Sequence, residues 1–139
     1  MTRVPPQTTQ NHDIEKLEKD NERLRNDLAA LTAEKEKLEL LVDGLARAAI
    51  GIDIVTLDHR ILFQNSILEE RFGNGRSSLC YEKYMGLDKP CDFCPMTMAV
   101  ATRKTTSVQL NGRDGRDYEI LSIPLMNKEG EIDRVMEIV

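Results

Sequence analysis

Cys80, Cys91 and Cys94 fall in one short stretch of a 139-residue chain that has no other cysteine. Cys91 and Cys94 are three residues apart, so their sulfurs can converge on one metal ion or on each other, and Cys80 can reach the same place across the loop. Three sulfurs leave one tetrahedral position for Asp92, water, an external ligand or a residue of a second protomer. Zinc and an iron–sulfur cluster both suit such a set. Thiol redox chemistry is the alternative. Pro95 marks the start of a helix, which puts Cys94 at or beside its N-cap, where the helix dipole and free amides favour the thiolate. Cys91 or Cys80 would then act as the resolving partner in a reversible disulfide. A static disulfide, or thiols serving as small hydrophobes, would carry no signal.

Other chemistry finds little footing. The chain has no Gly-rich phosphate loop, no Ser/His/Asp set and no His-rich metal motif, so it reads as a regulatory segment rather than an enzyme. Its formal charge is −5, and Arg3 is the sole basic residue before Asp13. A phosphate backbone needs clustered positive charge, so nucleic acid is not expected as a direct partner. The polar start, with Pro5 and Pro6, lacks the apolar core of a signal peptide, and no apolar run is long enough to span a membrane. An odd cysteine count without an export signal argues against a secreted disulfide framework, and a cytoplasmic location is expected.

The cysteines must be held by a domain, and that domain is preceded by a heptad repeat. Leu17, Leu24, Leu31, Leu38 and Leu45 recur every seventh residue, with Ile14, Leu28 and Val42 in companion positions. Such a seam is buried only against a second helix. Asn21 and Lys35 occupy the same seam, and buried polar residues there penalise staggered registers and higher oligomers, so a parallel homodimer is expected. Asp20 can meet Arg25 of the partner helix, whereas Glu34 and Glu39 repel. The expected organisation is a disordered polar tail over 1–12, a coiled coil over 13–44 and a single domain over 45–139.

Within that domain, Ala49 to Leu57 and Ile61 to Gln64 read as strands flanking a polar break that contains His59. Ser66 and Glu69 form a capping box for a short helix ending at Phe72, before Gly73 and Gly75. A loop-rich segment carries Cys80, and a helix spans Met96 to Arg103. Thr105–Leu110, Tyr118–Met126 and Ile132–Val139 are strand-like runs separated by Asn-Gly and Gly-rich turns, an antiparallel meander.

This order resembles the PAS domain, an α+β fold with a five-stranded antiparallel sheet and flanking helices, here preceded by a long N-terminal coiled-coil helix. The likeness lies in Gly51-Ile52-Asp53-Ile54-Val55, Ile61-Leu62-Phe63-Gln64-Asn65, Tyr118 through Leu125, and Gly130-Glu131-Ile132. The stretch from Cys80 to Tyr84 with Pro90-Cys91-Asp92-Phe93-Cys94-Pro95 is similar to a cysteine-bearing subset of bacterial and archaeal PAS sensors. The resemblance implies a sensory and dimerisation module of a signal-transduction protein such as a sensor histidine kinase, with an output domain in cis or in trans. Haem is disfavoured, because His12 and His59 are off the helix that carries the axial histidine in haem-binding relatives. Flavin is disfavoured by the lack of the Asn-Cys-Arg stretch of the light-sensing relatives. A small organic ligand would sit in an apolar pocket built from residues such as Phe72, Met98 and Leu121.

Overall fold

The computed structural model describes the backbone of residues 7–139 and the side chains of residues 11–139. The chain divides between Leu41 and Val42 into two compact units. The first is a helix, and the second holds the sheet.

Helix α1 spans Gln7–Arg47. The first six residues of the expected tail lie outside the described residues, and from Gln7 the chain is helical, His12 included. The expected boundary at residues 44 and 45 therefore falls inside a helix that continues through Gly44. Surface pairs such as Lys35–Glu39 at 3.3 Å are of the i,i+4 kind that contributes a few tenths of a kcal/mol, about 0.3–0.5. The seam is open to solvent: Leu17, Leu24 and Leu31 are 67, 60 and 69% exposed. Asn21 and Lys35 are exposed on the same face.

The helix ends where Ala49 takes a left-handed φ of 62°. Gly51 then exchanges backbone hydrogen bonds with Val139 at 2.7 and 2.9 Å, which leads the chain into the sheet. Elements β1 (Ile52–Thr56), β2 (Ile61–Gln64), α2 (Ser66–Phe72), α3 (Cys80–Met85), α4 (Pro95–Thr102), β3 (Thr106–Asn111), β4 (Asp117–Met126) and β5 (Ile132–Ile138) follow. The five strands are ordered β2-β1-β5-β4-β3, and every neighbouring pair is antiparallel. Helix α4 packs across β3, β4 and β5.

Two expectations are corrected. The segment carrying Cys80 is a helix, not a loop, and Cys80 is its first residue. The capping box at Ser66 is absent: Asn65 is the N-cap and makes no side-chain cap bond. Its amide is used elsewhere, donating to Ile50 O at 2.9 Å and accepting from Ile52 N–H at 3.1 Å. Asn65 thereby clamps the start of α2 to the start of β1.

Strand periodicity decides what the interior holds. On β1 it turns Asp53 and Val55 inward, and on β5 Val135 and Glu137, all of them buried. Val55, Ile61, Val135, Met96 and Cys94 form the core, with Cys80, Tyr84, Cys91 and Val100 packed against it. Each large aliphatic side chain buried there stabilises the fold by about 1.5–3 kcal/mol. The thiols are thus part of the core wall.

Candidate functional site

Each end of the cysteine segment is fixed by a long-range tie. The Cys80 N–H donates to His59 O at 2.8 Å, and its thiol lies 3.9 Å from His59 Nδ1, so the start of α3 is stitched to the β1–β2 turn. Arg60 and Leu79 form an isolated bridge beside it. Cys94 is the N-cap residue of α4, with Pro95 behind it as expected. Thr106 Oγ1 donates to Pro95 O at 2.8 Å and anchors that end to β3.

The three cysteines line one interior cavity of about 40 Å³, whose walls also include Tyr84, Ile120 and Glu137. All three are free thiols, with Cys94 buried and the other two partly buried. Among the described residues no three His, Cys, Asp or Glu side chains are grouped closely enough to hold a metal ion. Cys94, the N-cap residue of α4 that the sequence offered as a reactive thiol, is only 9% exposed.

A row of polar groups runs across the sheet beneath the thiols. Asp53, Glu137 and Ser122 are cross-strand neighbours on β1, β5 and β4, and all three are buried. Ser122 Oγ donates to Glu137 Oε1 at 2.7 Å. Asp53 is fully buried, and neither of its carboxyl oxygens has a hydrogen-bond partner; the hydroxyl of Tyr84 is likewise unpartnered.

Burial, with the nearby Glu137 adding, pushes the Asp53 carboxyl well above the usual range, and Tyr84 beside it pulls the other way. Burial also raises Glu137, against the hydrogen bond from Ser122. The Tyr84 phenol is pushed up by burial and then by Asp53. The Cys80 thiol is raised by burial first, then by Glu137 and Asp53, then by the other two thiols. Burial and then Cys94 raise Cys91. Burial thus makes the charged form of each of these groups costly.

A kinetic consequence follows for the thiols, because the thiolate is the reacting species. At pH 7, Cys80 and Cys91 of the folded protein are expected to alkylate with iodoacetamide more slowly than in the urea-unfolded chain, Cys80 by at least about tenfold, as each raised pKa unit removes a factor of ten in thiolate. Timed alkylation with peptide mass spectrometry checks this. Equal rates in the two states would contradict the buried, proton-holding site.

A second cavity of about 30 Å³ adjoins the first, sharing Tyr84, Met85, Ile120 and Glu137 and adding Asp53, Phe72 and Tyr118. Gly112 borders it for a steric reason: a Cβ there would stand 2.6 Å from Cε2 of Tyr118. Of the three residues expected to build a ligand pocket, Phe72 lines this cavity. Met98 does not, being 42% exposed on α4. Leu121 faces the other side of the sheet with its partners Ser107 and Ile138, while Ser122 takes the inward place. Asp53, Tyr84, Ser122 and Glu137 do not stand out in the sequence as site residues. For the three on strands the signal is alternation, as where Asp53 alternates with Ile52 and Ile54 on the same face as Val55; Tyr84, on α3, carries no such signal.

No protein-family model matches the chain, and a search of curated proteins returns no match. Solved structures do resemble it. A PAS domain of an HTR-like protein from Haloarcula marismortui aligns with a TM-score of 0.54 at 19% identity, covering 82% of this chain and 96% of that one. A sensory box sensor histidine kinase from Vibrio cholerae aligns with a TM-score of 0.53 at 17% identity, over 77% of this chain and 92% of that one. A further domain of an HTR-like protein from Haloarcula marismortui gives 0.50 at 18% identity, over 64% and 93%. Strand order, helix placement and these alignments agree: residues following the long N-terminal helix have the PAS fold.

Proposed function

We propose that the chain is a sensory and dimerisation module of a signal-transduction protein, in which a chemical or redox signal is read at Cys80, Cys91 and Cys94 and relayed through a parallel dimeric coiled coil to an output domain in cis or in trans. One observation carries this reading. Three cysteines supplied by two helices and the loop between them line a single cavity inside a PAS fold. The module itself is read as non-catalytic and cytoplasmic. Among the described residues no helix is long and apolar enough to cross a membrane.

The redox step is an ordinary thiol oxidation. One thiolate attacks hydrogen peroxide to give a sulfenic acid and water after proton uptake, and a second thiol condenses with it, releasing a second water and leaving a disulfide. Two electrons leave the protein in all. Because burial keeps Cys80 and Cys91 protonated, the reaction is expected to be slow at neutral pH and to quicken as pH rises. Titration of thiols before and after peroxide, with and without dithiothreitol, tests the reading. Loss of two thiols per chain, restored by dithiothreitol, is the expected result; three surviving thiols would leave the cysteines as packing residues and the chain as a structural dimerisation module.

A further inference from the structure

Three features of the second cavity meet at one point and are not used by the thiol chemistry. Asp53 is 0% exposed, lines the cavity, and has no partner for either carboxyl oxygen. Glu137 lines the same wall, and among the described residues neither carboxylate takes part in a salt bridge. The chain has three Phe and three Tyr, and Phe72, Tyr84 and Tyr118 all stand around this space. Phe72 meets Tyr84 edge-on at 5.2 Å between ring centres and Tyr118 at 6.0 Å. The Arg71 guanidinium already lies 5.7 Å from the centre of the Tyr118 ring, so Phe72 and Tyr84 are the rings whose π faces can meet a further cation.

We propose that this cavity binds a small organic ammonium ion, its nitrogen donating to Asp53 and Glu137 and its carbon end held by Phe72, Tyr84 and Tyr118. A buried carboxylate without a partner is costly, and an ammonium group supplies both the missing donors and the opposite charge. The aromatic wall distinguishes an alkylammonium from a metal cation, whose hydration shell such a wall cannot replace. At about 30 Å³ the cavity has room for roughly two water-sized spheres, which limits the ligand to a few heavy atoms.

Binding must release protons. The titratable and charged groups packed around the site are Asp53 on β1, Arg71 on α2 over the Tyr118 ring, Tyr84 and Cys80 on α3, Cys91 and Cys94 before α4, Tyr118 on β4 and Glu137 on β5, with burial raising Asp53, Glu137, Tyr84, Tyr118, Cys80 and Cys91. An ammonium needs the ionised carboxylates that burial disfavours, so its arrival displaces a proton and affinity rises with pH. This goes beyond the thiol reading and is decided separately from it.

The test is an NMR titration of the full chain, freed of amines, with methylammonium chloride, against potassium chloride at equal ionic strength. Saturable shifts of Phe72, Tyr84 and Tyr118 resonances are expected with methylammonium and not with potassium, tightening from about pH 5 to about pH 8. Asp53→Asn should weaken binding at least about tenfold, the loss expected for one charge-assisted hydrogen bond. Phe72→Leu, which leaves both carboxyls in place, should weaken methylammonium without creating a preference for potassium. Equal response to potassium, or affinity unchanged in Asp53→Asn, would overturn the proposal. The sensory reading fails by a different result, the survival of all three thiols under peroxide.

Discussion

Asp53→Asn is expected to raise the stability of the protein at neutral pH, by about 1.4 kcal/mol for each pKa unit by which burial raises the carboxyl, because asparagine cannot ionise. In a domain of this size that is a rise of several degrees in melting temperature, roughly 4 °C or more per kcal/mol. Asparagine keeps the shape and removes the charge that burial and Glu137 disfavour. The direction with pH is fixed as well. A carboxyl whose folded pKa lies above its unfolded value binds more protons when folded, so its contribution is complete below about pH 4 and is lost as pH rises through the folded pKa. The parent protein should therefore lose stability from about pH 4 upward on account of Asp53 and Glu137, and the advantage of the Asp53→Asn variant should vanish in acid and grow toward neutrality. Thermal melts of amine-free protein from pH 4 to 8 check both statements. A lower melting temperature for the variant at pH 7 would mean that the Asp53 carboxylate is satisfied by a partner.

Leu24→Lys combined with Leu31→Lys is expected to dissociate the dimer. Both side chains stand open on α1, 60 and 69% exposed, on the face that the heptad repeat assigns to a second helix. Each buried leucine lost costs about 2–5 kcal/mol and 1.4 kcal/mol is tenfold, so the dissociation constant should rise by at least about a thousandfold. Sedimentation velocity should show monomer at micromolar concentration, with the sheet unit still folded by near-ultraviolet circular dichroism. A persistent dimer would move the association to some other surface. Asn21→Leu should act oppositely, raising the coil's stability while loosening its choice of oligomer.

What can be read from the sequence is whatever local chemistry dictates. Strand β2 at Ile61–Gln64 and helix α2 at Ser66–Phe72 lie where alternation and glycine punctuation place them. Pro95 fixes the start of α4, and the Asn111–Gly115 and Asn127–Gly130 turns fix the two hairpins. Long-range ties are not legible. Helix α3 is closed by Gly86 at its C-cap but has no side-chain cap at its start, where the first turn is held because Cys80 N–H meets His59 O across the chain. Asn65 displaces Ser66 as the cap because its amide bonds to Ile50 and Ile52, a contact that adjacent sequence does not announce.

At the site, hydrophobicity misleads where period two would serve. Leu121 looks like core and Ser122 like surface, yet cross-strand pairing with Glu137 turns Ser122 inward and Leu121 out. The same alternation puts Asp53 with Val55 and Glu137 with Val135, so the buried carboxyls are present in the sequence as acidic residues on an otherwise apolar face. The grouping of the cysteines follows from spacing, but their shared cavity requires α3 and the loop after it to fold back over β5.

The thiol-lined cavity is proposed as the place where a signal enters and the coil as the place where it leaves. The most direct measurement is the distance between nitroxides, carried by a noncanonical amino acid at Glu22 so that the native thiols stay free, in the dimer before and after peroxide. The distance distribution is expected to change on oxidation, to recover with dithiothreitol, and to stay fixed in Cys80→Ser combined with Cys91→Ser. An identical distribution in the reduced and the disulfide-bonded protein would contradict the claim, showing that the state of the cavity does not reach the helices.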